Sequence, residues 1–187
     1  MRGLVTITRL SLNQTLSHIG GQPWKVNLNG TEYILRTGAL RLQLFKKTQV
    51  CACCGIQGRF FRIEHHKGDV APVINLYGTG GVDNGHVVLM TMDHIIPRSK
   101  HGPTHEDNVQ LLCADCNQLK ADELISINEL QKKARVVAKR KFQQLRDSGK
   151  KLIWKNPLEY AVLKELLKEG ELKGGLSDTR NRLLIKV

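Results

Sequence analysis

The first half of the chain alternates apolar and polar positions with the two-residue period of half-buried β-strands. Asn29 and Gly30 separate two such runs and favour a tight hairpin turn, because both residue types tolerate positive φ angles. Strands are expected at residues 6–12, 24–28, 31–36, 59–66, 72–77, 86–96 and 108–112. The glycine-rich residues 78–85 are expected to form a connecting loop, since no Gly-Lys-Ser/Thr follows to make a phosphate-binding loop.

The second half of the chain changes to a helical period. Ser126 and Glu129 form a capping box, so we expect a helix at residues 127–146. Asn156 and Pro157 open another helix, with Asn as the cap and Pro at the first helical position. The apolar stripes expected to pack on the core are Leu130, Ala134, Val137, Phe142 and Leu145 in the first helix and Leu158, Val162, Leu166 and Leu167 in the second.

Two further segments carry weaker patterns. In residues 39–47 the alternation of Leu40, Leu42 and Leu44 favours a strand, whereas the Leu, Arg, Gln and Lys composition favours a helix. Both a strand and a helix remain possible for this segment, and we favour the helix. Residues 183–187 are expected to pair as a final strand.

The net positive charge of the chain indicates which class of molecule it binds. The 187 residues carry a formal net charge of +12 at pH 7, and an excess of this kind is typical of proteins that bind nucleic acid. Only 5% of the residues are aromatic, which disfavours a large stacking platform for single strands. No run has the length of a membrane span or of a secretory signal, so we expect a cytoplasmic location.

The cysteines indicate a metal site. Four of the five form two Cys-x-x-Cys pairs, Cys51 with Cys54 and Cys113 with Cys116. Each pair can direct two thiolates at one ion, and two pairs complete the tetrahedral shell of a structural zinc ion. This pairing favours metal binding in a reducing compartment over disulfides. Cys53 is the spare cysteine, and we assign it no role.

A group of polar residues surrounds the second cysteine pair. The run Asp93-His94-Ile95-Ile96-Pro97 is followed by a polar loop, by Asn108, and by Cys113-Ala114-Asp115-Cys116-Asn117-Gln118-Leu119-Lys120. In this order, the segment from about residue 48 to residue 122 resembles the HNH endonucleases, the ββα-metal nucleases. Asp93-His94 looks like the first motif of that family and Asn108 like its middle Asn. Asn117 stands at the third position, which is often His.

The resemblance implies a role for each of these residues. His94 would be the general base that activates water for attack on a phosphodiester, and a free imidazole, which titrates near pH 6.5, is largely neutral at pH 7. Asp93 and Asn117 would hold one divalent cation, and their oxygen ligands suit Mg²⁺ or Mn²⁺ better than Zn²⁺ or Ni²⁺. Asn108 would hold the loop and orient the His94 ring.

Basic residues near these motifs are candidates for contact with DNA. Arg98, Lys100 and Lys120 adjoin the motif residues, and Lys132, Lys139 and Arg140 lie on the helix expected at residues 127–146. Phosphate contacts from such residues would supply affinity with little sequence information. The remaining histidines in this part of the chain are expected to be surface or core residues rather than ligands: His65, His66, His86, His101 and His105.

Together these features predict an α+β fold in three segments. Residues 1–47 form a β-rich extension, residues 48–122 the zinc-bound ββα-metal core, and residues 123–187 a basic helical arm. The implied function is a metal-dependent endonuclease that hydrolyses phosphodiester bonds in double-stranded DNA. Two alternatives stay open: a catalytically silent, zinc-stabilised DNA-binding module, and a nuclease for structured or RNA-containing substrates. The resemblance also fits a chain encoded by a phage or a mobile element.

Overall fold

The computed structural model of the chain describes residues 4–28, 30–68, 71–81 and 84–169. Within these ranges the chain forms seven strands and five α-helices. The strands are β1 (Leu4–Ser11), β2 (Trp24–Leu28), β3 (Thr31–Leu35), β4 (Gln57–His66), β5 (Val73–Gly80), β6 (His86–His94) and β7 (Val109–Cys113). The helices are α1 (Leu12–His18), α2 (Leu40–Lys47), α3 (Ala114–Lys120), α4 (Ile127–Asp147) and α5 (Pro157–Lys168). The predicted α+β class is confirmed.

Five strands form one antiparallel sheet in the order β1-β4-β5-β6-β7, and β2 and β3 form a separate hairpin. The sheet branches at β6. The first half of β6 pairs with β5 as far as Leu89, and from Met90 onward β6 pairs with β7 instead. At the branch the guanidinium of Arg41, from α2, donates a 2.9 Å hydrogen bond to the carbonyl oxygen of Ile74 on β5. A side chain thus satisfies a strand carbonyl near the point where β6 departs.

The two faces of the sheet are covered differently. Alternation along β6 places Val88 and Met90 on one face and Leu89 and Thr91 on the other. On the first face, α2 packs against β4, with the rings of Phe45 and Phe61 centred 6.2 Å apart. Helix α3 packs on the second face, where Asn117 is hydrogen-bonded to Thr91. The second face therefore carries Asp93 and Asn117, and the first face carries most of the apolar core.

The two long helices form a second, smaller core. Ala138 and Phe142 of α4 pack against Val162, Leu163 and Leu166 of α5. The capping box at Ser126 and Glu129 and the Asn156 cap are confirmed. The predicted stripe is wrong at Val137, which is 48% exposed. Ala138 takes the inward position because α5 approaches α4 from that side.

The predicted loop at residues 78–85 is wrong in its first part, because β5 continues to Gly80. A Cβ on Gly78 would lie 3.0 Å from the sulfur of Met90, and a Cβ on Gly80 would lie 2.6 Å from the carbonyl oxygen of Lys155. These two glycines therefore permit other parts of the chain to approach the strand closely.

For residues 39–47, where the sequence leaves both strand and helix open, the structure shows the helix α2. The strand expected at residues 183–187 lies outside the described residues.

Strand β1 of the N-terminal extension pairs with β4 of the predicted nuclease segment, so the two share one sheet. Within the described part of the chain, no helix combines the length and apolarity needed to cross a membrane. The segment boundaries at residues 47 and 122 stay predictions.

Candidate active site

The four paired cysteines converge on one buried point. Their sulfur atoms all lie within 4.8 Å of one another. Cys51 and Cys54 sit in the turn before β4, whereas Cys113 ends β7 and Cys116 lies in the first turns of α3. The turn is fixed by backbone hydrogen bonds, including a 2.9 Å bond from the amide of Ala52 to the carbonyl oxygen of Leu111. This geometry could hold a zinc ion and would join β7, α3 and the upstream turn.

The thiols of this cysteine cluster shift one another's pKa values. Hydrogen bonds from neighbouring thiols, chiefly from Cys113, lower the pKa of Cys51 below its ordinary value. The hydrogen bond with Cys113 also raises the pKa of Cys54 and of Cys116. Four sulfurs this close cannot all ionise without a compensating positive charge. The donor set is therefore chemically suited to a thiophilic metal ion.

The hairpin of β6 and β7 presents Asp93 at its end. The strand register pairs Asp93 with Gln110 and His94 with Val109. Asp93 is only 6% exposed, and its Oδ2 accepts a 2.8 Å hydrogen bond from Nε2 of Gln110. Because the carboxylate is held by a partner on the adjacent strand, its direction is fixed before any ligand binds.

Lys120, at the end of α3, is the second partner of Asp93. Its Nζ lies 3.3 Å from Oδ1 and 3.2 Å from Oδ2 of that carboxylate, and it donates a 2.9 Å hydrogen bond to the carbonyl oxygen of His94. Lys120 is 1% exposed. This burial does not fit the predicted contact between Lys120 and phosphate, because the ammonium faces Asp93 rather than solvent.

His94 is half-buried, and its ring is held by the loop that follows β6. Nε2 of His94 lies 3.0 Å from Oγ1 of Thr104. A hydroxyl at this distance selects the ring orientation and leaves the opposite nitrogen, Nδ1, outside this bond.

The buried side chain of Asn108 is hydrogen-bonded to the backbone of the same loop. Its Oδ1 accepts a 2.9 Å hydrogen bond from the amide of Ile96, and its Nδ2 donates to the carbonyl oxygens of Ile96 and Pro103 at 3.1 and 2.8 Å. The loop is so tight that a Cβ on Gly102 would lie 1.8 Å from the oxygen of Ile96. The predicted loop-holding role of Asn108 fits this geometry, whereas the direct contact to the His94 ring comes from Thr104.

Asn117 reaches the same face from α3. Its Nδ2 donates a 3.0 Å hydrogen bond to Oγ1 of Thr91, which leaves Oδ1 outside this bond. Asn117 and Lys120 lie three residues apart and so project from one side of the helix. Their partners Thr91 and Asp93 lie two residues apart on one face of β6. The structure thus places Asn117 and Asp93 on the same side of the β6–α3 contact, with His94 next to Asp93 along the chain.

The predicted DNA-contacting residues other than Lys120 lie toward solvent. Arg98 and Lys100 are exposed on a short 3-10 helix (Arg98–Lys100) that follows the site. On α4, Lys132 and Arg140 are exposed and Lys139 is half-buried. Other basic side chains of α4 are paired with acidic residues: Lys133 with Glu123, Arg135 with Glu165, Lys141 with Glu159 and Arg146 with Asp147. Among the described residues, no ion pair involves Lys132, Lys139 or Arg140.

Three of the remaining histidines have local partners. His86 pairs with Asp115 at 3.2 Å, and His105 caps the 3-10 helix Glu106–Asn108. His65 contacts the carbonyl oxygen of its neighbour, His66. His101 has a positive φ of 60° in the loop after β6.

Sequence reasoning missed three residues that support the site. Gln110 could have been found, because it falls opposite Asp93 once the β6–β7 register is known. Thr91 and Thr104 carry no signal of their own, since their contacts to Asn117 and His94 depend on how α3 and the loop pack.

Comparison with known proteins agrees with this geometry. The family model for HNH endonuclease matches residues 82–123, the segment that contains the β6–β7 hairpin and α3. No curated protein and no solved structure matches the chain significantly. The matched segment contains Asp93, His94, Asn108 and Asn117 together with the second cysteine pair. Residues 82–123 of this chain are therefore similar to the HNH endonuclease family.

Proposed function

We propose that this chain is a metal-dependent endonuclease that hydrolyses phosphodiester bonds in double-stranded DNA. The observation that carries the proposal is the docking of α3 on the end of β6, which brings Lys120 to Asp93 and Asn117 to Thr91, with His94 next to Asp93 in the chain. The carboxylate of Asp93 is already aimed by Gln110 and Lys120, so the site is organised without a substrate. Such preorganisation is what a hydrolytic site requires.

His94 is the general base in this proposal. Nε2 of His94 is engaged by the hydroxyl of Thr104; in the tautomer that carries its proton on Nε2, Nδ1 is the nitrogen that would take the proton from the attacking water. The bond from Lys120 to the carbonyl oxygen of His94 fixes the backbone from which the ring projects. His94 is half-buried, so its ring remains accessible to a phosphodiester.

Asp93 and Asn117 are the proposed ligands of one Mg²⁺ or Mn²⁺ ion. A carboxylate offers about four lone-pair sites, and Gln110 and Lys120 leave capacity on Asp93 for a cation. Oδ1 of Asn117 supplies a neutral oxygen. An ion bound there would neutralise charge on the phosphate and on the leaving oxygen.

The cysteine cluster is the proposed structural zinc site. Its four buried sulfurs close the coordination shell, so it has no open position for a substrate. We expect one zinc per chain, held by Cys51, Cys54, Cys113 and Cys116.

Duplex DNA is the proposed substrate because of the charge on α4 and on the loop after β6. Three basic side chains of α4, Lys132, Lys139 and Arg140, have no acidic partner among the described residues. Arg98 and Lys100 add exposed charge close to His94 in the chain. Residues of this kind bind phosphate without reading sequence.

The decisive experiment compares the parent with His94→Ala on supercoiled plasmid, with Mg²⁺ and with excess chelator. We expect Mg²⁺-dependent cleavage by the parent and a rate lower by about 10²–10⁴ in the variant, with DNA binding retained. His66→Ala is the matched control, because it removes an exposed histidine from the end of β4. Cleavage by His94→Ala at the parental rate would move the base to another residue.

The same assay separates the two alternatives. DNA binding without cleavage of any substrate would support a catalytically silent module. Cleavage of branched or RNA-containing substrates with plasmid left intact would support the structured-substrate nuclease.

The role of α4 is tested by replacing Lys132, Lys139 and Arg140 with Gln. Binding should weaken alike on many sequences, and each lost contact should reduce the slope of log affinity against log salt by about 0.9. Cleavage at saturating protein should persist, since Asp93 and His94 are untouched. An unchanged salt slope would show that the duplex is bound by another surface.

A further inference from the structure

The sheet carries a second group of cationic side chains on the face that bears the motif residues. The guanidinium carbon of Arg9, on β1, lies 3.7 Å from the ring centroid of Phe60, on β4. The guanidinium carbon of Arg62 lies 4.4 Å from the ring centroid of Tyr77, on β5. The two rings stack on each other with centroids 5.7 Å apart. We call these four residues the arginine–aromatic face.

A buried carboxylate beneath this face neutralises part of its charge. Glu64 is 1% exposed and accepts hydrogen bonds from Thr6, Asn75 and Tyr77. Arg62 lies 3.9 Å from the same carboxylate and so balances its charge. Arg9 is exposed, and among the described residues no acidic side chain pairs with it. The face therefore keeps a positive charge directed at solvent.

The strand register places this face beside the active site. Phe60 pairs with Tyr77, and Tyr77 pairs with Leu89 of β6. Two residues beyond Leu89, on the same side of β6, Thr91 holds Asn117. Tyr77 is level with Leu89, so with a strand spacing of about 4.8 Å and a rise of about 3.4 Å per residue the backbones of Tyr77 and Thr91 lie on the order of 8–10 Å apart. The guanidinium of Arg62 lies on the ring of this same Tyr77.

We propose that Arg9 and Arg62 bind backbone phosphates of the same duplex that is cut at Asp93 and His94, on the side of the site that faces β5. This inference rests on the proposed function and adds a contact surface to it. A guanidinium stacked on an aromatic ring keeps its plane and leaves its N–H edge for phosphate oxygens. The separation from the site corresponds to phosphates a few nucleotides away from the cut.

Binding is best measured in the His94→Ala background, where the full-length chain cannot consume the probe. The probe is a labelled duplex of mixed sequence, titrated between about 50 and 200 mM salt. Adding Arg9→Gln should weaken binding on the order of tenfold at the lowest salt and reduce the salt slope by about 0.9. Arg9→Glu should weaken binding further, because it places a negative charge against the phosphates.

Lys25→Gln is the matched control, because it removes one exposed positive charge from the β2–β3 hairpin. It should leave both affinity and salt slope close to those of the His94→Ala parent. Melting temperatures equal to that of the parent would show that the Arg9 variants are folded. If Arg9→Gln and Arg9→Glu bind like the parent, this inference is overturned while the proposed function stands. If the His94→Ala parent itself binds no duplex, both are overturned.

Discussion

The cysteine cluster and the Asp93 site are served by the same short helix, α3, but they are built differently. Cys113 and Cys116 sit at its start, are buried, and face two further sulfurs. Asn117 and Lys120 lie on its later part and face oxygen atoms of β6. One site closes completely around its donors, whereas the other leaves His94 and Asn117 half-buried. The difference is the one expected between a structural metal site and a site that must admit a substrate, which are the roles that we propose for them.

The largest effect is expected from breaking the closed site. Cys113→Ser removes one of four sulfurs, and the zinc affinity that depends on all four should fall steeply. We expect loss of a large part of the roughly 10 kcal/mol that structural zinc contributes in small domains. Thermal melting and zinc content per chain measure this effect together.

Cys53→Ser is the control for Cys113→Ser, because Cys53 is equally buried but is not one of the four clustered cysteines. It should keep one zinc per chain and a melting temperature near that of the parent. A parent chain that contains no zinc, or a Cys113→Ser chain that melts like the parent, would refute the structural metal.

The next effect is expected at the open site, where Lys120 is buried against Asp93. Lys120→Met keeps the apolar bulk but leaves the carboxylate without its cation, which typically costs about 3–5 kcal/mol. Denaturant unfolding in buffer without added Mg²⁺ or chelator measures this loss, with the zinc left in place. Added Mg²⁺ should restore part of it, since a cation bound by Asp93 replaces the missing charge.

Lys133→Met is the control for Lys120→Met, because Lys133 forms an exposed pair with Glu123. Such a pair contributes about 0–1 kcal/mol, so unfolding should change little. Equal stability of the Lys120→Met chain and the parent in buffer without Mg²⁺ would show that Asp93 does not depend on Lys120.

A smaller effect is expected from Asn117→Ala. It removes one proposed oxygen ligand and should weaken the apparent affinity for Mn²⁺ by about tenfold or more. Asp93→Ala should weaken it further, because it removes the charged ligand. Cleavage titrated against Mn²⁺ and direct metal binding by calorimetry report the two changes independently. Unchanged metal affinity in both variants would place the cation elsewhere.

The smallest effect is expected at Thr104. Thr104→Ala removes the hydrogen-bond partner of His94 and should lower kcat by less than about tenfold, since a neutral hydrogen bond contributes about 1 kcal/mol. Thr104→Ser keeps the hydroxyl and should restore the parental rate. If Ala and Ser at this position give the same rate, the hydroxyl does not orient the ring.

Features with local chemical causes could be predicted from sequence. The cysteine spacing anticipated a cluster whose sulfurs lie within 4.8 Å. Ser126 and Glu129 anticipated the start of α4, because a capping box is formed by residues three apart. The β2–β3 hairpin and the helix start at Asn156-Pro157 follow from turn and cap preferences of the same range.

Features that depend on packing between distant segments could not be predicted. Lys120 resembles a surface lysine in sequence, and only the docking of α3 on β6 buries it. Val137 and Ala138 are neighbours, and the approach of α5 decides which of them faces inward. Gly78 and Gly80 resemble loop residues, although they lie in β5 where Met90 and Lys155 approach closely.

Because α3 is short, a small tilt of this helix would displace the proposed active-site residues at its end. A helix of seven residues is about 10 Å long, so a tilt of only about 6° at one end shifts the other end by about 1 Å. An error of that size in a reacting group can cost about a hundredfold in rate. Any loosening around Cys113 and Cys116 would therefore be transmitted to Asn117 and Lys120 as a change in position. Oxidation or chelation at the cysteines should therefore silence cleavage and destabilise the fold together.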